Sequence, residues 1–370
     1  MSATSKATVS GQRPAAKAPS ERNKRRLVQQ IVSSWRTQAI HVAAQLQVAD
    51  CLAQGPMDAD DLAKALRCSA DGLARLLRAL CALGLCRETV SGRFSLTPTG
   101  QLLRSEGSAD QASLRSLALW WGGATWPMWG ELGYSVRTGA SAREHLTGDA
   151  HYGYLQKSAE SASIFHDAMR AMTALIVADV AGHDTWHSAN RVVDVGGGHG
   201  EVAVGILAAH PHLHATVFDL PHAQAGAQAR IAAAGLSERC EFQSGSFFDT
   251  LPQGADRYLL KSILHNWNDE RCAAILTCCK NAMKPGARLV LVERMRPARL
   301  HANAHDEALA RTDLNMLAGL GGRERTQDEF NALLHPAGFV VLGTWRTSFE
   351  FTVIEAGLTP MPALPEDAGS

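Results

Sequence analysis

The sequence predicts a mixed α/β protein, an open and mostly parallel sheet of about seven strands behind a smaller, mainly helical domain. Three observations predict it. Arg191-Val-Val leads with β-branched residues into Asp194-Val-Gly-Gly-Gly-His-Gly-Glu201, and Val202-Ala-Val-Gly-Ile-Leu-Ala-Ala leads out at helical spacing, giving a strand, a glycine turn and a helix. From there to residue 358, strand-like and helix-like segments alternate. Before it, residues 27–103 read as helix, turn, helix and hairpin.

In chain order, residues 1–26 are rich in Ser, Ala, Gly, Lys and Arg, with no acid before Glu21, and read as a disordered basic arm. Arg22, Lys24, Arg25 and Arg26 close it as a basic cluster that reads as a solvated helix start. Residues 27–110 read as a winged-helix-like dimerisation domain. Asp58 caps one helix and Ser69 the next. Leu73, Leu76, Leu77, Leu80 and Leu83 form an apolar stripe that Gly84 stops. With Leu73, Leu76 and Leu80 at its centre, this is more apolar surface than a small domain buries alone, so a homodimer through it is expected. Residues 85–89 and 93–97 flank Val90-Ser-Gly92 as a hairpin. A winged helix allows DNA binding. Here, though, the helix that would enter a groove offers Arg75 and Arg78 against Asp71 and little else that is basic, so no nucleic-acid partner is expected.

Residues 111–185 read as a helical linker that carries a substrate pocket. Trp120, Trp121, Trp126 and Trp129 crowd there, with Trp35 as a packing partner. Large flat side chains suit a flat apolar ligand and a domain-junction core equally. One long helix is expected over 161–181, with Phe165, Met169 and Met172 on one face. Residues 186–358 form the α/β domain. Strands are expected near 191–195, 214–219, 239–243, 256–262 and 287–293, and helices near 200–209, 222–234, 269–283, 307–317 and 326–336. Gly338-Phe-Val-Val-Leu-Gly-Thr-Trp and Ser348-Phe-Glu-Phe-Thr-Val-Ile read as a closing antiparallel pair, and residues 359–370 as a loose tail.

The chain has 370 residues, enough for two domains, and equal numbers of acidic and basic residues, 36 each. Zero net charge implies no bulk attraction to nucleic acid or to an anionic membrane. Eight cysteines show no paired Cys-x-x-Cys spacing and read as reduced thiols, several of them in the core. No segment looks like a secretory signal or reaches membrane-spanning length, so a soluble cytoplasmic protein is expected.

The chemistry starts at the glycine turn. Consecutive glycines let the backbone lie against a ligand, and the following helix points its free N–H groups at the turn. Thr216-Val-Phe-Asp219 reads as a second strand ending in a carboxylate that can accept both hydroxyls of a ribose. The dinucleotide fingerprint fails, because Glu201 stands where a third glycine belongs. A ribose clamp without a pyrophosphate cradle suits S-adenosylmethionine better, and the stretch resembles motif I of class I methyltransferases. Four more stretches fall at strand ends: Ser244-Gly-Ser-Phe-Phe-Asp249, Lys261-Ser-Ile-Leu-His-Asn-Trp267, Leu291-Val-Glu293 and Gly321-Gly-Arg-Glu-Arg-Thr-Gln327.

Together these motifs, over residues 27 to 355, resemble the caffeate-type plant O-methyltransferases and their bacterial relatives that act on phenazines, anthracyclines and other aromatic polyketides. The resemblance implies a class I methyltransferase (Rossmann-like) sheet, with residues 186–358 binding S-adenosylmethionine. It implies cofactor contacts at Gly196, Gly198, Asp219, Leu220, Ser246, Phe247 and Lys261. Ser246 stands where the family more often has Asp. It implies a catalytic base at His265 with carboxylates Glu293 and Glu324, and leaves the role of Asn266 open. It implies an aromatic-substrate pocket at Trp120, Trp121, Phe165, Met169, Asn315 and Met316.

Methyl transfer is an in-line displacement at a sulfonium carbon and requires no metal. The acceptor must lose its proton. A phenol and an imidazole differ by about 3.5 pKa units, roughly 5 kcal/mol. A sulfonium beside the phenol and a carboxylate behind the imidazole both narrow that gap. His210, His212 and His214 lack an acid or cysteine set and read as surface residues. Two other functions compete: a methyltransferase-like enzyme that hydroxylates or decarboxylates an aromatic polyketide, and a ligand-responsive DNA-binding regulator. The intact His265, Glu293 and Glu324 favour methyl transfer, and the poor basic face disfavours the regulator.

Overall fold

The computed structural model describes residues 19–107 and 113–359. Most of the expected arm, and the tail from residue 360, lie outside the described residues. Nine strands are described: β1 Cys86–Glu88, β2 Phe94–Leu96, β3 Arg191–Val195, β4 His214–Asp219, β5 Cys240–Ser244, β6 Arg257–Lys261, β7 Arg288–Glu293, β8 Phe339–Arg346 and β9 Thr352–Leu358. β1 and β2 form the expected hairpin. The other seven make one sheet in the order β5-β4-β3-β6-β7-β9-β8. Only β9 runs against the rest, antiparallel to both β7 and β8. β3 starts the domain and pairs with β4 on one side and β6 on the other. The connections from the carboxyl ends of β3 and β6 therefore run in opposite directions, to β4 and to β7, which opens a crevice between them.

The pleat sorts residues between two cores. Val192 on β3 packs with Val202, Ile206 and Ala227 on one face, while Val193 and Val195 pack with Ile275, Leu276 and Phe330 on the other. The Glu201–Ala209 and Gln224–Ala233 helices cover the first face, and Asp269–Ala282 and Gln327–Leu334 the second. A third core holds the N-terminal domain. Asp58 and Ser69 cap its helices as expected, each accepting a backbone N–H.

Five expectations need correction. The arm's bound at residue 26 lies too late: residues 21–26 open the Glu21–Ile31 helix, in keeping with the helix start read at residues 22–26, because Ser20 caps it and Glu21 complements its positive end. The leucine stripe is not left for a partner: Leu73, Leu77 and Leu80 are buried against Leu62 and Phe94 of their own domain. The exposed apolar row lies earlier, at Leu27, Val28, Ile31 and Trp35, which are 57%, 58%, 67% and 71% exposed. Trp35 therefore does not pack on the tryptophan-rich segment. The single helix over 161–181 is two, Ala159–Ala174 and Val177–Ala181. The break at Ile176 buries that side chain and lays Val177 over Gly205, where a Cβ would meet Val177 Cγ2 at 2.2 Å. His210 is not a surface residue: it is buried, and its Nε2 pairs with the Ala181 carbonyl at 2.7 Å.

Candidate active site

The crevice collects residues from the ends of β3, β4, β5 and β6. After β3 the chain turns through Gly196, Gly198 and Gly200, at φ of 69°, 57° and 76°. L side chains rarely adopt such angles. A Cβ at Gly196 would strike Ile263 Cδ1 at 2.5 Å, whereas one at Gly198 would meet nothing within 4 Å. The turn is thus tight on the protein side and open on the other. At the end of β4, Asp219 accepts the Gly198 N–H at Oδ2 (2.7 Å) and the Leu220 N–H at Oδ1 (2.6 Å). Burial pushes its carboxyl up, and those two bonds pull it back. A carboxylate has about four acceptor positions, so lone pairs remain for two further donors. An open glycine turn beside such a carboxylate fits the ribose of S-adenosylmethionine.

Phe247 reaches the same turn, 3.4 Å from the Cβ position of Gly196, and meets Trp267 edge-on. Ser246 Oγ accepts the Phe248 N–H at 3.2 Å. Its lone pairs are partly spent, and its hydroxyl proton is left for a ligand. Lys261 ends β6. Burial, then Arg294, pulls its ammonium down to about 8. Asp194 shares this buried region, and burial pushes its carboxyl up to about 7.

His265 lies in the short Leu264–Asn266 turn after β6. Its Nδ1 is 3.3 Å from both oxygens of Glu324 and 3.6 Å from Glu293 Oε2. Glu293 ends β7, next to β6 in the sheet. Its Oε1 accepts the Ile263 and Leu264 N–H groups at 3.0 and 2.8 Å, which leaves Oε2 for His265. Those two N–H groups are aimed by Ser262, which is left-handed at φ 56°. Burial opposes a charged His265, but Glu293 and then Glu324 outweigh it, so its pKa is raised.

Glu324 comes from the loop after the Ala304–Leu320 helix, and its backbone N–H bonds Asp313 Oδ1 of that helix at 2.8 Å. The loop closes on the histidine turn. Arg323 N–H donates to the His265 carbonyl at 2.9 Å. Gly322 permits the approach, since a Cβ there would lie 2.0 Å from that carbonyl oxygen. The Arg325 guanidinium, 1% exposed, donates to the Leu264 and Trp267 carbonyls at 2.8 Å each and to Asp269 at 2.7 Å. Asn266 Nδ2 donates to the Ser262 carbonyl at 3.0 Å, so that side chain holds the turn.

The aromatic residues gather beside this cluster. Trp120 and Phe165 meet at 5.1 Å, Tyr152 and Phe165 at 5.6 Å, and Trp121 and Met169 pack on the same core. Asn315 and Met316 lie on the Ala304–Leu320 helix, half-buried, and Asn315 Oδ1 has no hydrogen-bond partner. Trp126 stays exposed, and Trp129 packs in a separate small cluster with Met128 and Ala142. Sequence reasoning missed Arg325, Asp313, Asp194 and Tyr152. Asp194 was the one with a signal: an acid at an inward position of an otherwise apolar strand.

A family model described as the O-methyltransferase domain matches residues 129–340, and one described as the O-methyltransferase dimerisation domain matches residues 28–106. The chain is 34% identical over 331 residues to the phenazine O-methyltransferase PhzM of Lysobacter antibioticus, covering 89% of this chain and 95% of that one. Among solved structures it resembles LaPhzM with a TM-score of 0.84 at 34% identity, covering 90% of this chain and 99% of the other. It also resembles NcsB1, an O-methyltransferase from neocarzinostatin biosynthesis, solved with S-adenosylmethionine and 2-hydroxy-5-methyl naphthoic acid. There the TM-score is 0.73 at 33% identity, over 87% of this chain and 95% of that one.

Proposed function

The chain belongs to the S-adenosylmethionine-dependent O-methyltransferases of aromatic natural products, and from that premise we propose that it methylates a hydroxyl of a flat phenazine- or polyketide-like phenol with His265 as general base. The observation that carries this is the seat of His265 Nδ1, 3.3 Å from Glu324 and 3.6 Å from Glu293. An imidazole so engaged at Nδ1 keeps its proton there and presents the Nε2 lone pair. When bound, S-adenosylmethionine supplies a methyl group on a cationic sulfur. His265 Nε2 receives the acceptor's proton, and the two buried carboxylates stabilise the imidazolium that forms. Their effect on His265 narrows the roughly 5 kcal/mol gap between imidazole and phenol.

In this reading Gly196, Gly198, Asp219, Leu220, Ser246, Phe247 and Lys261 hold the cofactor. Trp120, Trp121, Phe165, Met169, Asn315 and Met316 wall the acceptor. Residues 186–358 are the cofactor domain and 111–185 the acceptor wall, while 27–110 pair two copies. Exposed Leu27, Val28 and Ile31 on the first helix, with Trp35 at the start of the Ser34–Gln45 helix, support a homodimer through these first helices. The regulator reading loses support, since Arg75 is paired with Asp71 at 3.0 Å. No described helix is long and apolar enough to cross a membrane.

The test is transfer of labelled methyl to a panel of phenazine, anthraquinone and phenylpropanoid phenols. Label on a phenolic oxygen with the wild type, and loss of it in His265→Ala, is the expected result. No transfer to any phenol, with no binding of S-adenosylhomocysteine, sinks the proposal.

A further inference from the structure

We infer that the acceptor carries a carboxylate on its aromatic ring system and that Arg143 receives it. This rests on the methyl-transfer reading above and adds the acceptor's charge to it. Arg143 lies on the Ala142–Thr147 helix and is 9% exposed. Among the described residues no carboxylate pairs with it. The acids nearest in sequence are engaged elsewhere: Glu144 accepts the His151 N–H at 2.8 Å, and Asp149 pairs with Lys157 at 2.6 Å. The guanidinium instead meets the Tyr154 hydroxyl and Met128 Sδ, and stands 5.2 Å from the Trp120 ring and 4.6 Å from the Tyr154 ring. Aromatic faces and a thioether attract a cation but do not neutralise it. A buried charge without a counter-ion is strongly disfavoured. Among the described residues none supplies it, and a ligand does.

Asn315 adds an independent sign. Its Oδ1 is buried and unpartnered, one helical turn before Gly319. A Cβ at Gly319 would stand 3.9 Å from Arg143 Nη2, so the asparagine and the arginine face the same region. Tyr152 links that region to the chemistry. Its ring packs on Phe165, and Phe165 packs on Trp120, which lies against Arg143. Its hydroxyl lies within electrostatic reach of Arg143, Asp219 and Glu293. An aromatic hydroxy acid spans this arrangement, its hydroxyl toward His265 and its carboxylate in the fork of Arg143. A donor on the same ring system satisfies Asn315.

The test titrates full-length protein, loaded with S-adenosylhomocysteine, with hydroxynaphthoic acids that bear hydroxyl and carboxyl on different rings. Each acid is compared with its carboxamide by calorimetry. At least one acid should bind about tenfold more tightly than its amide. Arg143→Gln should bring that ratio to within about threefold, and Arg143→Lys, which keeps charge but loses the fork, should fall between. Melting curves report whether each variant folds. Equal binding of every acid and its amide overturns the inference, and so does failure of every acid to bind. A preference that survives Arg143→Gln also overturns it, as does one undiminished in Arg143→Lys if the glutamine variant does not fold. The methyl-transfer reading fails separately, if S-adenosylhomocysteine itself does not bind.

Discussion

Asp219 and His265 sit at two ends of one cleft and are held in opposite ways. Asp219 takes the Leu220 N–H beside it and the Gly198 N–H of the neighbouring turn, both backbone groups at the ends of adjacent parallel strands. His265 is set by side chains from far along the chain: Glu293 from β7, Glu324 from a later loop, and Arg325 gripping the carbonyls on either side of it. A site made from backbone tolerates side-chain changes around it, outside the glycines of the turn, because the fold itself supplies the donors. A site made from buried charges stands or falls as a unit, since each removed partner strands another.

The sharpest break of this contrast is His265→Ala. Turnover should fall by about 10²–10⁴ while affinity for S-adenosylhomocysteine stays nearly intact. The loss should shrink toward the phenol's own pKa, where solvent supplies phenolate. A defect that is constant from neutral to alkaline pH would make His265 a positioning residue only.

Arg325→Met comes next. It leaves the Leu264 and Trp267 carbonyls without their donor and should destabilise the protein by roughly 3 kcal/mol, read as a lower urea midpoint. Turnover should suffer more than cofactor affinity. An unchanged midpoint would mean the histidine turn holds itself.

Asp219→Ala should do the reverse, weakening S-adenosylhomocysteine by about 1.5–3 kcal/mol in calorimetry and sparing turnover at saturation. The smallest effect is expected from Glu324→Gln. The raised pKa of His265 puts the acidic limb of the turnover profile above about 6.5, since the base must be neutral to act. Removing one carboxylate should shift that limb to lower pH and lower the plateau. The same interaction stabilises the fold fully below about pH 6.5 and fades as pH rises through the folded-state value. A limb that stays in place would leave Glu293 alone responsible.

The contrast also explains what the sequence made legible. The glycine turn, Asp219 and the sheet strands are local patterns, and each lies within a few residues of its expected position. Long-range partners leave no such trace. Nothing in Gly321-Gly-Arg-Glu-Arg distinguishes Arg323, 48% exposed at its side chain, from Arg325 at 1%. The leucine stripe was legible as an apolar face, but its periodicity did not say that Leu62 and Phe94 would cover it. His265, Glu293 and Glu324 were legible only through family resemblance, because 59 residues separate His265 from Glu324. Arg143 had no signal, being one arginine among many until its surroundings were known.

The bond from Glu324 N–H to Asp313 has a practical consequence for redesign. Asp313 lies two and three positions before Asn315 and Met316 on one rigid helix. Anyone widening the proposed acceptor wall at those two positions to admit bulkier scaffolds is also pulling on the tether of Glu324, behind the proposed base. Altered acceptor scope and a shifted pH optimum should then arrive together from a single mutation. Libraries that vary Trp120, Phe165 or Met169 instead work from other elements of the proposed wall, and offer the safer route to new acceptors.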